Sequence, residues 1–141
     1  MFPNRLVLVR VSYLVGRLDR LLRSRLGEAL EPHGLTLGEY TTLSVLAGRG
    51  GLSNAQLARR ALITPQAMSE VLARLEARRL VRRRSMEGRA RPAELTAAGR
   101  RKLQGADSSV DEVEASMLAE LSSADRARLT ELLQLISGNL I

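Results

Sequence analysis

The chemistry-bearing residues of this 141-residue chain gather between Ser53 and Thr96. Thr64 and Pro65 are followed by Gln66, Ala67, Ser69, Glu70 and Arg74, a run of small and polar side chains. Beyond it come Arg82, Arg83, Arg84, Arg89 and Arg91, five cations within ten residues around Gly88. The guanidinium groups, with the amide and hydroxyls before them, are donors suited to phosphates and to the edges of bases. A glutamine can pair with two atoms of adenine, a serine with most bases, and an alanine methyl with that of thymine. Arginines on a hairpin turn can enter a minor groove, where the negative potential is deepest. Packing a hairpin does not require five like charges, and they repel one another without a polyanionic partner.

Other chemistries find little support. There is no cysteine, which removes disulfides, thiolate catalysis and thiol redox sensing. A single histidine, His33, cannot build a zinc cluster. Asp107, Asp111, Glu112 and Glu114 recur at helical spacing in a charged stretch and read as a solvated face. No Gly-rich phosphate loop or nucleophile motif occurs. An enzyme is not expected, and neither is a cofactor or a metal. Arg5 and Arg10 interrupt the apolar run at the N-terminus, so no signal peptide is expected. No stretch suits a transmembrane span. The expected location is the cytoplasm, with no membrane partner.

Six helices and one hairpin must hold these residues in place. An apolar stripe through Leu6, Tyr13, Leu14, Leu18, Leu21, Leu22 and Leu26 predicts a helix over 4–30, stopped by Pro32 and Gly34. Thr36 with Glu39 forms a capping box for a second helix ending near Ala47. Ser53 with Gln56 opens a short third helix to about Ala61. Thr64 caps a fourth, with Pro65 at its first position, where the missing N–H costs nothing, and it continues to about Arg78. Met68, Val71, Leu72 and Leu75 form its buried stripe. Only Leu62 and Ile63 join the third and fourth helices, and so short a joint forces a sharp crossing, as in a helix-turn-helix.

Leu80–Arg84 and Arg91–Leu95 read as the strands of a hairpin, with Pro92 arguing for an edge position. Thr96 caps a long helix to roughly Ala119, with Gly105 a weak point inside it. Ser122 and Asp125 open a last helix with Leu129, Leu132, Leu133 and Ile136 on one face. The composition, 45% hydrophobic but only 2% aromatic, favours helices packed on helices.

Charge divides the chain in the same way. Residues 53–102 hold 13 of the 22 basic and 4 of the 15 acidic residues, a net +9, while the remainder carries −2. A basic centre between near-neutral arms suggests a polyanion site on a dimerisation frame. The long arms cannot bury their stripes against so small a centre, so pairing with a second copy is expected.

From Leu35 to Gly99 the chain resembles the MarR family of regulators. The residues that carry this are LTLGEYTTLSVL at 35–46, LARRALITPQAMSEVLARLEARRLVRR at 57–83 and EGRARPAELTAAGR at 87–100. The flanking helices fit in length and order. The resemblance implies a mainly α, winged helix-turn-helix homodimer, in which helices one, five and six dimerise. It also implies that the fourth helix enters the major groove, that the hairpin lies along the minor groove, and that a small aromatic or carboxylate ligand releases the DNA. In the family's wing a carboxylate orients an arginine; here Glu87 and Arg89 take those places, in a turn about two residues shorter. Arg79 stands where the family often has glycine. By position, Tyr13, Arg17, His33 and Tyr40 could face the ligand, although the tyrosines also suit a core and Arg17 a surface.

The expectation is therefore a single 1–141 unit, with a DNA-binding lobe at 35–96 and dimerisation helices at 1–34 and 97–141. It would act as a repressor on double-stranded palindromic DNA. The DNA-contacting set would be Ser53, Thr64, Gln66, Ala67, Ser69, Glu70, Arg74, Arg84, Arg89 and Arg91. The alternatives from the residues are a sequence-tolerant architectural DNA binder without an effector, and a protein-interaction adaptor.

Overall fold

The computed structural model describes residues 10–84 and 92–141. In chain order they form α1 (Val11–Leu30), α2 (Leu37–Gly48), α3 (Asn54–Ala61), α4 (Pro65–Ala77), β1 (Val81–Arg83), β2 (Ala93–Leu95), α5 (Ala97–Met117) and α6 (Ser123–Gly138). A 3-10 turn at Glu31–His33 links α1 to α2.

The starts of these helices follow from local chemistry. Both capping boxes form: Thr36 and Glu39 exchange bonds of 2.9 and 3.1 Å, and Ser53 and Gln56 exchange bonds of 2.8 and 3.2 Å. The hydroxyls of Thr64, Thr96 and Ser122 accept from the third residue of α4, α5 and α6. Each bond satisfies a backbone N–H that the helix itself leaves unpaired.

Two helix ends are less ordinary. At the end of α4, the N–H of Leu80 donates to Leu75 and that of Arg79 donates to Glu76, which places Arg79 in the left-handed region at φ 58°. This is a Schellman closure with arginine where glycine is usual. The end of α3 closes in the same way, with Ile63 bonded to Ala58, Leu62 bonded to Arg59 and Leu62 at φ 56°.

The two strands pair antiparallel with Arg82 opposite Glu94. Leu52 adds a bridge on the far side of β2, through Ala93 N–H to Leu52 (2.8 Å) and Gly51 N–H to Ala93 (3.0 Å). The core lies under this sheet, among Leu43, Leu46, Leu57, Met68, Leu72, Leu75 and Val81. Leu30 from α1 and Leu103 and Ala106 from α5 complete it. Gly99 permits the closest approach: a Cβ there would stand 2.0 Å from the Leu80 carbonyl oxygen. The backbone N–H of Thr96 donates to that same oxygen at 3.2 Å.

The arms differ. α1 packs along α5, yet Val11, Tyr13, Leu14, Val15, Leu18 and Leu21 remain exposed on it. No residue of α6 is buried, and Leu132, Leu133, Leu135 and Ile136 face outward. Among the described residues, no helix is long and apolar enough to cross a membrane.

Several sequence expectations need correction. Within the described residues the first helix begins at Val11, with Arg10 extended as its cap, and the expected stretch 4–9 lies outside the described residues. The strands are three residues each, shorter than 80–84 and 91–95. Pro92 falls just before β2, and Ala93 is paired on both sides, so β2 is not simply an edge. α5 ends at Met117 rather than Ala119. It runs continuously through Gly105, where a Cβ would only touch His33 Nδ1 at 3.9 Å.

Candidate nucleic-acid interface

α4 sits with Met68, Val71, Leu72 and Leu75 buried. Its opposite face carries Gln66, Ser69, Glu70 and Arg74, all exposed, while Ala67 is half-buried. The apolar stripe thus fixes the helix on the core and leaves its polar N-terminal half outward. Among the described residues, the Gln66 side chain makes no hydrogen bond.

Thr64 and Ser53 spend their hydroxyl acceptors on the caps of α4 and α3. Ser69 donates to Asn54 Oδ1 at 3.3 Å, and Asn54 Nδ2 donates to the Pro65 carbonyl at 3.0 Å. Asn54 therefore ties the first turn of α3 to the first turn of α4. Arg59 and Arg60 project from the last turn of α3 as exposed cations.

The wing arginines are not equivalent. Arg82 and Arg84 converge on one carboxylate, Glu94, at 3.6 and 3.2 Å. Arg83 alternates to the other strand face, and its Nε is buried without a hydrogen-bond partner among the described residues. Glu87, Arg89, Arg91 and the turn expected to be shortened lie outside the described residues.

Behind α4, Arg78 reaches the start of α2. Its Nη1 donates to the Gly34 carbonyl at 2.7 Å and to Glu39 Oε2 at 3.4 Å. Glu39 is buried, and its other oxygen accepts from Thr36 N–H. Gly34 occupies the left-handed region, and a Cβ there would stand 3.3 Å from Arg78 Nη2. The C-terminus of α4 is thereby latched to the junction between α1 and α2.

The four proposed ligand residues divide into two pairs. Tyr40 donates to Asp107 Oδ1 at 2.6 Å, and His33 Nε2 lies 2.9 Å from Ser109 Oγ, so both bridge to α5. Burial, with donation to the Asp107 carboxylate, pushes the Tyr40 hydroxyl up to about 12. It stays protonated and remains a donor at neutral pH. Tyr13 and Arg17, one turn apart on α1, are exposed. None of the four lines the cavity of about 290 Å³ between α1 and α5, which is walled by Leu18, Leu21, Leu22, Arg25, Val113, Ser116 and Met117.

Comparison with known proteins places this geometry. Residues 33–92 match the model of the MarR family. The HTH-type transcriptional repressor Rv2887 of Mycobacterium tuberculosis is 38% identical over 131 residues, covering 92% of this chain and 94% of that protein. The chain belongs to the MarR family. A crystal structure of Rv2887 in complex with DNA superposes with a TM-score of 0.77, covering 91% of this chain and 98% of that one. Rv2887 in complex with salicylic acid gives 0.75, covering 91% and 96%. At 23% identity, a MarR family regulator from Rhodococcus sp. RHA1 shares the fold with a TM-score of 0.84, covering 89% and 91%. The winged helix-turn-helix implied by the resemblance is the fold observed.

On this MarR scaffold, sequence reasoning missed Asn54, Arg78 and Glu94. Asn54 at the first position of α3 was hidden beside the more obvious cap Ser53. The partners of Arg78 lie 44 and 39 positions away, beyond any local pattern. Glu94 had a usable signal: it is the one acid on the return strand of an arginine-rich MarR hairpin.

Proposed function

We propose that this chain is a homodimeric transcriptional repressor that binds a palindromic operator in the cytoplasm and is released by a small aromatic carboxylate. The observation that carries the reading is the seating of α4. Its stripe is locked into the core while Gln66, Ser69, Glu70 and Arg74 stand outward beside the basic hairpin. A helix so mounted can enter a major groove N-terminus first, with its unpaired N–H groups toward phosphate.

The lobe is residues 35–96, and the arms are 1–34 and 97–141. The DNA-contacting set is Ser53, Thr64, Gln66, Ala67, Ser69, Glu70, Arg74, Arg84, Arg89 and Arg91. Ser53 and Thr64 act through the helix starts they cap. Gln66 and Ser69 read base edges, Ala67 touches a thymine methyl, and the arginines meet phosphate or the minor groove. The arms dimerise through the exposed faces of α1 and α6, which supplies two-fold symmetry. Two recognition helices then occupy successive major grooves about 34–36 Å apart. The chain has no catalytic role.

The effector acts at the junction of α1, α2 and α5. Rv2887 has been crystallised with salicylic acid and with p-aminosalicylic acid, which supports an aromatic acid here. Tyr13, Arg17, His33 and Tyr40 receive it. The cation of Arg17 meets the carboxylate, and the ligand competes for the Tyr40–Asp107 and His33–Ser109 bonds. Loosening those bonds changes how the lobe sits on α5, and so the spacing of the two lobes.

Selection of bound sequences from a random duplex library tests the reading. A two-fold symmetric consensus is expected, with an affinity over random DNA of roughly 10³ or more. Enrichment without symmetry or sequence preference indicates an architectural binder. No binding of any duplex at low salt indicates an adaptor. Calorimetric titration with salicylate tests the effector: no heat and no change in operator affinity removes it.

A further inference from the structure

We infer that Glu94 acts as an internal phosphate mimic, holding Arg82 and Arg84 against a carboxylate that backbone phosphates must displace. The inference rests on the DNA-binding reading above and adds to it a residue that sets sequence-independent affinity.

The geometry is specific. Glu94 stands directly opposite Arg82 in the strand register. Arg84 follows directly after β1, two residues beyond Arg82, and both arginine side chains reach the same carboxylate. One carboxylate receives both, Oε2 from Arg82 at 3.6 Å and Oε1 from Arg84 at 3.2 Å. Among the described residues, neither arginine has another acidic partner within ion-pair distance. The backbone positions are held, since Arg84 N–H donates to the Pro92 carbonyl at 3.1 Å. The Glu94 stem lies beside Gly50, where a Cβ would stand 3.7 Å from Glu94 Cγ. The carboxylate is therefore set into the wing base, its side chain 25% exposed beneath arginines that are 66% and 62% exposed.

That arrangement has an electrostatic consequence. Exposed ion pairs of this length are weak and exchange readily, so either guanidinium can turn from Glu94 to a phosphate. The carboxylate stays beneath them when they do. It cancels part of the local positive potential and opposes the incoming phosphate charge. Glu94 lies on the wing rather than on α4, so base reading by Gln66 and Ser69 is left alone. The result is a wing whose sequence-independent grip is held down while the reading helix is unchanged.

The test compares wild type with Glu94→Gln, which keeps the shape and removes the charge, across a salt series on random duplex and on heparin. The variant is expected to bind random duplex more tightly and to elute later from heparin. Its salt slope steepens by up to about one unit, so its advantage at 50 mM salt exceeds that at 200 mM by up to about three- to fourfold. Adding Arg82→Ala and Arg84→Ala to Glu94→Gln abolishes the gain, and the consensus selected from random sequences is unaltered. A residue that merely orients Arg84 predicts the reverse, with weaker binding by Glu94→Gln; that outcome, or an unchanged slope with unchanged heparin retention, overturns the inference. Should wild type bind no duplex while Glu94→Gln still elutes later from heparin, the DNA-binding reading fails and the competition for anions stands.

Discussion

The lobe and the arms handle apolar surface in opposite ways. In the lobe, Leu43, Leu57, Met68, Leu72, Leu75 and Val81 are all at most 2% exposed. In the arms, Leu14, Leu18, Leu133 and Ile136 are 41–50% exposed. The difference teaches that the lobe is complete within one chain, whereas the arms lack a partner surface. Recognition chemistry then belongs to a finished unit, and the way two such units are spaced belongs to an unfinished one.

The contrast breaks most severely if the arms are spoiled. The double variant Leu133→Glu/Ile136→Glu is expected to prevent dimerisation and leave the lobe folded. Two leucine-sized side chains from each chain, at about 1.5 kcal/mol or more each, place the loss at about 6 kcal/mol per dimer. Sedimentation velocity and circular dichroism together check it.

The seam between lobe and arm is the next most sensitive place. Gly99→Ala drives a methyl into the Leu80 carbonyl and is expected to cost about 3 kcal/mol, because backbone stands on both sides of the contact. Its midpoint in urea should fall sharply. A smaller effect is expected at the latch behind α4. Arg78→Ala leaves the buried Glu39 carboxylate without its cation, and since Arg78 is partly exposed the loss is about 2 kcal/mol. Glu39→Gln added to that variant should recover part of the lost midpoint. The smallest effect has the opposite sign: Arg79→Gly removes the left-handed strain at φ 58° and is expected to stabilise by about 1 kcal/mol.

These sites also mark how far the sequence could be read. The helix starts were legible because a capping box is a three-residue relation, and both expected boxes form. The stripe of α4 was legible for the same reason: periodicity is local, and Met68, Val71, Leu72 and Leu75 are buried as expected. The strained position at Arg79 was legible only through family resemblance.

Contacts set by register or long-range approach were not legible. Glu94 stood out as the one acid on the return strand, but which arginine it faces depends on how the hairpin closes. Leu62 gave no sign of its left-handed backbone, which serves the tight closure between α3 and α4. Gly99 looked like an ordinary glycine early in a helix until Leu80 was brought against it. His33 and Tyr40 were singled out, but their partners Ser109 and Asp107 lie 76 and 67 positions away. The cap and pairs that fix the start of α4 span 3 to 15 positions; the bonds that latch its end and fix the junction span far more.

The central claim is that the lobe reads DNA and the arms make that reading two-fold. The most direct measurement is the ratio of affinities for a selected palindrome and for random duplex, taken for wild type and for Leu133→Glu/Ile136→Glu. The account predicts a ratio of roughly 10³ or more for wild type. It predicts collapse of that ratio in the variant, which still prefers a single half-site over random DNA. Equal ratios for the two proteins, or a variant without any half-site preference despite a folded lobe, would contradict it.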